Sequence, residues 1–420
     1  MKASIVLTSL ALLTGLEILM ARTIEAVVAG HLCIDVYPTF PAVSSAGESP
    51  STVMSRILVP GKLVEVGPLA VSTGGPVSNT GLALLKLGIN AVLMGKVGTD
   101  AFGLVVKKLL AEMNADKHLI VVDGETTSYT VGLAIPGVDR VFLHHPGSND
   151  TFCADDVNYE IVGQAKLFHI GYPPLMKRMY SDGGDELSTI LRRVHELGTI
   201  TTMDMALPDP SSPAGKADWP FILAKSLPHV DVFLPSAEET LYMIDRPKFD
   251  RVKREAGNRD MLDLLTGADL AELAGRLLDF GCKVAAIKCG HRGIYVRTAS
   301  FANPFGTAGG GWSHRELWEP VFRVDKFVST AGSGDSTIAG FLSALLRGHS
   351  LEDCLKYATA TGAENVEALD TVSGIRSWAE TTARIKSGWQ KVTLANPGLG
   401  WCMDELQQTW IGPANKGMRG

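Results

Sequence analysis

The sequence lacks the residue patterns of several familiar protein classes. Its 6 cysteines form no CxxC pair, which excludes a cysteine-rich zinc module, and no GxxxxGK[ST] loop occurs, which excludes a P-loop enzyme. Basic residues are outnumbered, with 39 Lys and Arg against 45 Asp and Glu, and this acidity argues against a nucleic-acid partner. Because the cysteines are scattered, we expect reduced thiols and a cytoplasmic protein.

Long apolar runs are also scarce, and the most apolar stretch lies near the N-terminus. Residues 5–15 (IVLTSLALLTG) follow Lys2 and resemble the apolar part of a secretory signal, although Glu17 fits that interpretation poorly. The run is shorter than the roughly 20 residues that span a membrane, so we expect no membrane contact. Residues 1–23 are interpreted as an N-terminal extension, which is a signal, an additional helix or the product of a start codon assigned too early.

Glycine, by contrast, is abundant: the chain has 44, as expected where many tight turns join strands to helices. Residues 26–34 predict one buried strand. From 166 to 366, strand-like segments alternate with helical patterns, which predicts a mostly parallel sheet covered by helices on both faces. Two β-rich stretches, 63–72 and 126–145, fall outside this alternation and predict a small separate sheet. The charged segment 245–260 is expected to be a solvated insertion.

The most informative segment is the glycine-rich turn 329–336 (STAGSGDS), which lies between a strand-like segment at 321–328 and an amphipathic helix. Its glycines permit a sharp turn with outward N–H groups, so Gly332, Ser333 and Gly334 predict an anion hole at a helix N-terminus. Asp335 would repel a phosphate there unless it accepts a proton from an attacking hydroxyl. A simple capping aspartate is the alternative.

Two further segments carry polar residues between strands and helices. Gly74 and Gly75 allow close approach of a ligand to the backbone, and Asn79 can both donate to and accept from a hydroxyl. The acidic residue Glu239 follows a buried strand and opens a helix. It either complements the helix dipole or orders water around a Mg²⁺ ion.

Together these segments resemble the ribokinase-like (PfkB) family of carbohydrate and nucleoside kinases, over roughly residues 24–380. The family's N-x-x-E magnesium motif is matched only at Glu239. Its two glycine-containing signatures are matched, in the family's order, at Gly74, Gly75, Asn79, Gly98, Asp100 and Gly103, and at Thr330, Gly332, Gly334 and Asp335.

The resemblance implies a three-layer α/β/α, Rossmann-like domain at 24–380. A small β-sheet lid, from about 36–73 and 125–146, would close over the substrate and could also join two copies as a homodimer. Residues 381–420 would form a C-terminal extension. The implied reaction transfers the γ-phosphoryl group of ATP to a hydroxyl of a sugar or sugar-like polyol, with Asp335 as the base and Mg²⁺ near Glu239.

The same resemblance assigns binding residues on both sides of the base. Those implied for the acceptor are Asp35, Gly74, Gly75, Asn79 and, from the lid side, Asn149. Those implied for the nucleotide are Lys288, Gly290, Gly293 and Thr330. Ala358, Gly362 and Asn365 are expected to line the adenine pocket from their order in the chain alone, on the helix after the anion hole.

Departures from the family pattern leave alternatives open. Ser329 replaces the usual Asp, which puts the family's monovalent-cation site in doubt, and Pro76 replaces the Lys of ribokinases, which disfavours ribose. A nucleoside kinase with an aromatic slot at Tyr129, Phe142 and Tyr172 is one alternative. A sugar-binding regulator without catalysis is the other, although it would not need the base that Asp335 supplies.

Overall fold

A computed structural model describes residues 22–40, 50–135, 141–301 and 311–416. The first 21 residues, and the turn expected at 136–139, lie outside the described residues. The strands are β1 Ile24–Gly30, β2 Cys33–Pro38, β3 Leu69–Gly74, β4 Ala91–Gly98, β5 Ile120–Val122, β6 Tyr129–Leu133, β7 Val141–His145, β8 Ala165–Gly171, β9 Ile200–Met203, β10 Val232–Phe233, β11 Val284–Lys288, β12 Ile294–Thr298, β13 Glu316–Glu319, β14 Cys402–Asp404 and β15 Thr409–Ile411.

Helices connect most of these strands, and several short 3₁₀ turns supplement them. The α-helices are α1 Pro50–Ile57, α2 Pro76–Lys86, α3 Ala101–Ala111, α4 Tyr159–Gly163, α5 Lys177–Tyr180, α6 Asp185–Glu196, α7 Trp219–Ser226, α8 Ala237–Ile244, α9 Arg246–Ala256, α10 Gly267–Asp279, α11 Ser333–Leu346, α12 Leu351–Asn365 and α13 Trp378–Lys386. In this part of the chain, no helix has the length and apolar character needed to cross a membrane.

The main sheet has the order β14-β15-β13-β12-β11-β10-β9-β8-β1-β4-β5. Its strands from β11 to β5 pair in parallel, whereas β11–β12 and the pairs beyond it are antiparallel. Parallel strands need crossover connections, and the helices of those crossovers cover the two faces of the sheet. This confirms the expected α/β architecture.

The central strand β1 shows why the fold has three layers. Ala26 and Val28 pack into one hydrophobic cluster, with helices α2, α3, α11 and α12. Val27 and Ala29 point to the opposite face and pack with α6, α7, α8 and α10. Because successive residues of a strand face opposite sides, an all-apolar strand such as β1 must be covered on both faces.

A second sheet, with the order β3-β2-β6-β7, forms the lid. Only two residues separate its first strand, β2, from the end of β1, so the segment expected to be one strand at 26–34 is two strands in two sheets. The register places Asp35 opposite Ser72 and Thr130, and Thr130 opposite His144. These four residues therefore share one face of the lid.

Two other expectations were wrong. In addition, residues 50–57, which fall within the segment 36–73 expected to supply the β-sheet lid, form the helix α1. The segment 321–328 forms no strand; its only β-contact is a bridge from Phe322 to Lys391. The charged segment 245–260 is not a solvated insertion, because α9 buries Phe249, Val252 and Ala256 along one face. Their spacing of three and four residues is that of an amphipathic helix.

The residues after 380 are part of the same layered structure. β15 pairs with β13, and β14 pairs with β15, so this segment extends the main sheet at its antiparallel edge. Glu319, on β13, is buried and accepts a hydrogen bond from Thr409. The Lys391 ammonium lies 2.5 Å from the same carboxylate.

Candidate active site

Asp335 lies in the first turn of α11 and is buried in a network of hydrogen bonds. Its Oδ2 accepts from Asn79 Nδ2 at 2.9 Å, and the Tyr172 hydroxyl lies 3.0 Å from both carboxylate oxygens. Burial raises the pKa of Asp335, while the donors Asn79 and Tyr172 and the nearby Lys288 ammonium act against that rise. The result is a carboxylate with a raised proton affinity, in contact with a hydroxyl.

The sheet brings these residues together at one edge. Tyr172 and Asp204 follow β8 and β9 directly, Lys288 ends β11, and Asn79 lies in the first turn of α2. The carboxyl ends of neighbouring parallel strands meet at the same edge, where ligands bind in open α/β sheets. Tyr172 adopts a left-handed conformation (φ 60°, ψ 46°), which is uncommon for a bulky residue and concentrates at functional sites.

The glycine-rich turn forms the floor of the site. Gly332 has φ 72°, and a Cβ there would lie 2.6 Å from the Cβ of Thr371, so the turn requires glycine. The Ser333 N–H donates to the Thr330 carbonyl at 3.2 Å. The first-turn N–H groups of Gly334 and Asp335 need no helical acceptor and can face an anion. The anion hole thus differs from the predicted set, because the Ser333 N–H helps to close the turn.

The residues expected to bind the acceptor lie on β2, at the end of β3 and at the start of α2. Asp35 is largely buried, and burial raises the pKa of its carboxyl. Gly74 packs directly against this carboxylate, which leaves no room for a side chain. Gly75 has φ 83° and precedes Pro76, which starts α2, so the turn that presents Asn79 depends on this glycine.

Asn149 is placed differently from the expectation. Its Nδ2 donates to the Leu32 carbonyl at 2.9 Å and its Oδ1 accepts from the Leu32 N–H at 3.2 Å. Both amide atoms are therefore used to hold the segment between β1 and the lid. This geometry gives Asn149 a positioning role in place of a contact with the acceptor.

A cavity of about 250 Å³ adjoins Asp335 and is strongly acidic. Asp204, Glu239 and Lys288 line it together with Asp335. Burial raises the pKa of Asp204 well above its usual range and also raises that of Glu239, while Lys288 opposes both shifts. Such a cavity is suited to a cation.

Glu239 also has a structural task in this cavity wall. Its carboxylate accepts from the Ser236 N–H at 2.6 Å, and the Ser236 hydroxyl accepts from the Glu239 N–H at 3.1 Å. This reciprocal pair is a capping box at the start of α8. Ser236 occupies the Asn position of the family's N-x-x-E motif, and its hydroxyl is well suited to cap the N-terminus of α8.

A second, apolar cavity of about 330 Å³ continues from the first. Lys288, Gly290 and Gly334 line both. The expected nucleotide residues Gly293, Thr330 and Gly362 also line it. The lining residues that the sequence did not predict are His291, Val321, Phe322, Val324, Phe327, Thr337, Thr359, Ala363, Val366 and Val392.

Two expected nucleotide residues lie outside this cavity. Ala358 is fully buried in the hydrophobic cluster beneath α11 and α12. Asn365 donates from Nδ2 to the Ala331 carbonyl at 2.7 Å, which braces the glycine-rich turn. In the same turn, the Ser329 hydroxyl accepts from the Ala331 N–H at 3.1 Å.

The proposed aromatic slot is not assembled as one surface. Tyr172 reaches Asp335, whereas Tyr129 packs against Phe102 with ring centroids 5.4 Å apart. Tyr129 and Phe142 instead line a more open cleft of about 790 Å³ between the lid and the loop after β8.

Sequence reasoning missed His31 and Asp204 and gave Tyr172 a different role. Each directly follows a buried parallel strand, β1, β9 and β8 respectively. That position was the available signal, because polar residues after parallel strands gather at the ligand-binding edge.

Comparison with known proteins shows which family the chain belongs to. The pfkB family of carbohydrate kinases matches residues 46–378. An uncharacterized sugar kinase of Archaeoglobus fulgidus is 25% identical over 70% of this chain and 98% of its own. An ATP-dependent ribose-1-phosphate kinase of Halopiger xanaduensis is 26% identical over 70% of this chain and 79% of its own.

Among solved structures, ribokinase of Arabidopsis thaliana, complexed with ribose and ATP, superposes with a TM-score of 0.62 at 18% identity. The match covers 86% of this chain and 98% of that one, which confirms the ribokinase-like fold. The chain belongs to the pfkB family of carbohydrate kinases, and is thus a phosphotransferase with an alcohol group as acceptor.

Proposed function

We propose that this protein transfers the γ-phosphoryl group of ATP to a hydroxyl of a sugar or sugar-like polyol, with Asp335 as the general base. One observation carries the proposal: a buried carboxylate with raised pKa stands at a helix N-terminus and already accepts a hydrogen bond from the hydroxyl of Tyr172. An acceptor hydroxyl that takes the place of Tyr172 would meet the same oxygens.

The chain's own residues account for each part of the transfer. Asp335 accepts the proton of the attacking hydroxyl, while Asn79 holds the carboxylate in position. The N–H groups of Gly334 and Asp335 stabilise charge on the transferring group. Lys288 lies between the two cavities and neutralises phosphate charge. Closure of the lid, whose strand β2 carries Asp35, would exclude water as a competing acceptor.

The apolar cavity supports ATP as the donor. Val321, Phe322 and Phe327 provide surfaces for a purine ring, and Gly362 lets α12 pack closely against Thr337 of α11 at the cavity wall. Since this cavity joins the acidic cavity at Lys288, a nucleotide with its base among these residues can extend its phosphates towards Gly334 and Asp335.

The acidic cavity also fits a Mg²⁺ ion. Asp204 is buried, and its Oδ1 has no hydrogen-bond partner and lies 3.6 Å from the Nε2 atom of His169, so a hydrated cation would satisfy an atom that is otherwise costly to bury. In the described parts of the chain, no three His, Cys, Asp or Glu residues are grouped to hold a metal directly. This suits Mg²⁺, which keeps several waters and binds through few carboxylates and the phosphates. When bound, Mg²⁺ would neutralise charge on the transferring phosphates.

Replacing Glu239 with Gln should raise the Mg²⁺ concentration needed for half-maximal rate and leave the melting temperature unchanged. Gln preserves the capping box with Ser236 but removes the negative charge. The matched control is Glu380→Gln, which alters the equivalent capping-box residue of α13 with Ser377. An Mg²⁺ titration of ADP release decides the role, and equal requirements in both variants and the wild type would leave Glu239 as a cap only.

A panel of acceptors should rank sugars above nucleosides. Asp35 and Asn79 offer carboxylate and amide groups that suit adjacent hydroxyls, whereas the aromatic residues needed for a nucleobase are dispersed. We expect ADP release with D-fructose or another sugar to exceed that with adenosine or inosine. Faster turnover of a nucleoside would favour the nucleoside kinase, and sugar binding without ADP release would favour the regulator.

The lid also supports a homodimer. Leu69, Val71 and Leu143 are exposed, and the register places all three on the lid face opposite to Asp35. Exposed apolar surface of this kind is typical of protein–protein contacts, and we expect it to pack against the same face of a second copy. Sedimentation of the wild type, and of a variant with Leu143 replaced by Lys, tests this part of the proposal.

A further inference from the structure

His31 occupies an unusual position in the site. It follows the last residue of β1 and lies two residues before the lid begins, so it stands at the junction of the two sheets. Its side chain is only 2% exposed, yet neither ring nitrogen has a hydrogen-bond partner. An imidazole buried with both nitrogens unsatisfied is costly, and buried polar groups in folded proteins are nearly always paired.

The surroundings of His31 show where a partner would lie. A Cβ on Gly75 would come within 2.6 Å of its Nδ1, so the ring packs directly against the Gly75 turn, where a larger residue would displace it. The His144 ring of the lid lies 5.3 Å away between centroids, and the Tyr172 ring lies 6.1 Å away. The imidazole is thus enclosed by the lid, the Gly75 turn and the residue that contacts Asp335.

A second unsatisfied atom lies in the same region. Asn79 donates from Nδ2 to Asp335, but its Oδ1 is buried without a partner. It can therefore accept one hydrogen bond, while a neutral imidazole supplies one acceptor and one N–H donor. Burial and the neighbouring His144 hold the pKa of His31 well below its usual range, which keeps the ring neutral.

We infer that His31 binds the acceptor, and that with Asn79 Oδ1 it selects a polyol with hydroxyls beside the one that is phosphorylated. This inference rests on the proposed function and deepens it by naming a specificity residue in addition to Asp35, Gly74, Gly75 and Asn79. One hydroxyl donates to the free imidazole nitrogen, and another accepts from its N–H. Both hydrogen bonds satisfy buried atoms that otherwise have no partner, so they contribute more to the free energy of binding than hydrogen bonds to exposed groups would.

The test is His31→Phe, which keeps a planar ring and removes both nitrogens. Without a ligand, we expect the melting temperature to stay the same or to rise, because the unsatisfied atoms are gone. With D-fructose and D-ribose as probes, the KM of the better acceptor should rise at least about ten-fold, as for one or two lost hydrogen bonds, while the KM of ATP stays constant. His31→Gln, which retains a donor and an acceptor, should recover part of the loss.

The control is His349→Phe, which makes the same replacement beside Tyr357 and Trp378, away from the site. It should leave the KM of the acceptor unchanged. Thermal stabilisation by each sugar is measured in parallel, because it reports binding even without turnover.

The outcomes separate the two proposals. An unchanged acceptor KM in an active His31→Phe variant overturns the role of His31 and leaves the kinase function standing. Sugar-dependent stabilisation of the wild type but not of His31→Phe, without ADP release from either, supports His31 as a binding residue and overturns the kinase function. If the wild type neither turns over nor is stabilised by either sugar, both are overturned.

Discussion

Replacement of Asp335 with Asn should lower kcat by about 10²–10⁴-fold, the usual contribution of a positioned general base. Asn can accept from Asn79 and meet the Tyr172 hydroxyl with its amide, so the shape of the site is kept while the proton acceptor is lost. The KM values of acceptor and nucleotide should change little, since the anion is held by backbone N–H groups.

The direction in which this substitution changes the stability of the protein follows from the pKa of Asp335. Burial raises the pKa of Asp335, so its ionisation in the folded protein costs stability as the pH rises through that pKa. Removing the charge should therefore leave the melting temperature at neutral pH unchanged or higher. A fall in kcat without a fall in melting temperature separates lost chemistry from lost structure.

The matched control for Asp335 is Asp269→Asn. Asp269 occupies the third position of α10, as Asp335 does in α11, and belongs to a capping box far along the chain from the glycine-rich turn. We expect its kcat to match that of the wild type, with a small stability change from the lost contact to Lys248. If Asp335→Asn also melts normally and keeps most of its kcat, then Asp335 is only a cap and the proposed mechanism is wrong.

The glycine-rich turn and the Gly-Gly turn could be predicted because their signals are local. Gly332 and Gly75 both have positive φ and directly precede helices, and such requirements appear directly in a few adjacent residues. The contacts between the turns could not be derived in the same way. Asn79 and Asp335 are 256 residues apart, and Tyr172 and Asp335 are 163 apart.

Two other segments were predicted wrongly because one property of their residues, charge in α9 and apolar character in 321–328, dominated the prediction. The charges of α9 suggested solvent, although Phe249, Val252 and Ala256 already had helical spacing. The apolar, β-rich segment 321–328 suggested a strand, but its residues Val321, Phe322, Val324 and Phe327 line the apolar cavity. Apolar periodicity predicts burial without specifying whether the buried surface faces a sheet or a ligand.

Lys288 carries the prediction with the next largest effect. It ends β11, lines both cavities, and its ammonium donates to the Leu234 carbonyl. Replacing it with Met should raise the KM of ATP about 10- to 100-fold, since a hydrogen bond to a charged group contributes roughly 1.5–3 kcal/mol. ATP titrations of initial rate, with the acceptor saturating, measure this change.

The same substitution should alter two pH profiles in a fixed direction. Lys288 lowers the pKa values of Asp335, Asp204 and Glu239, so its loss raises all three, and the acidic limb of kcat/KM should move to higher pH. Carboxyls with raised pKa stabilise the fold most when protonated. The melting temperature of Lys288→Met should therefore fall most at neutral pH and approach that of the wild type as the pH drops towards the usual carboxyl range.

Lys283→Met provides the comparison, because Lys283 directly precedes the same strand and pairs with the buried Asp231 at the other end of the sheet. Its loss should lower the melting temperature and leave both the KM of ATP and the acidic limb in place. Lys288 binds the phosphates and lowers the pKa of Asp335 only if its replacement changes both the KM of ATP and the acidic limb of kcat/KM. If Lys288→Met lowers the stability but changes neither kinetic measure, Lys288 only balances the negative charge of the acidic cavity. The phosphates of ATP would then be bound by the N–H groups of α11 without this lysine.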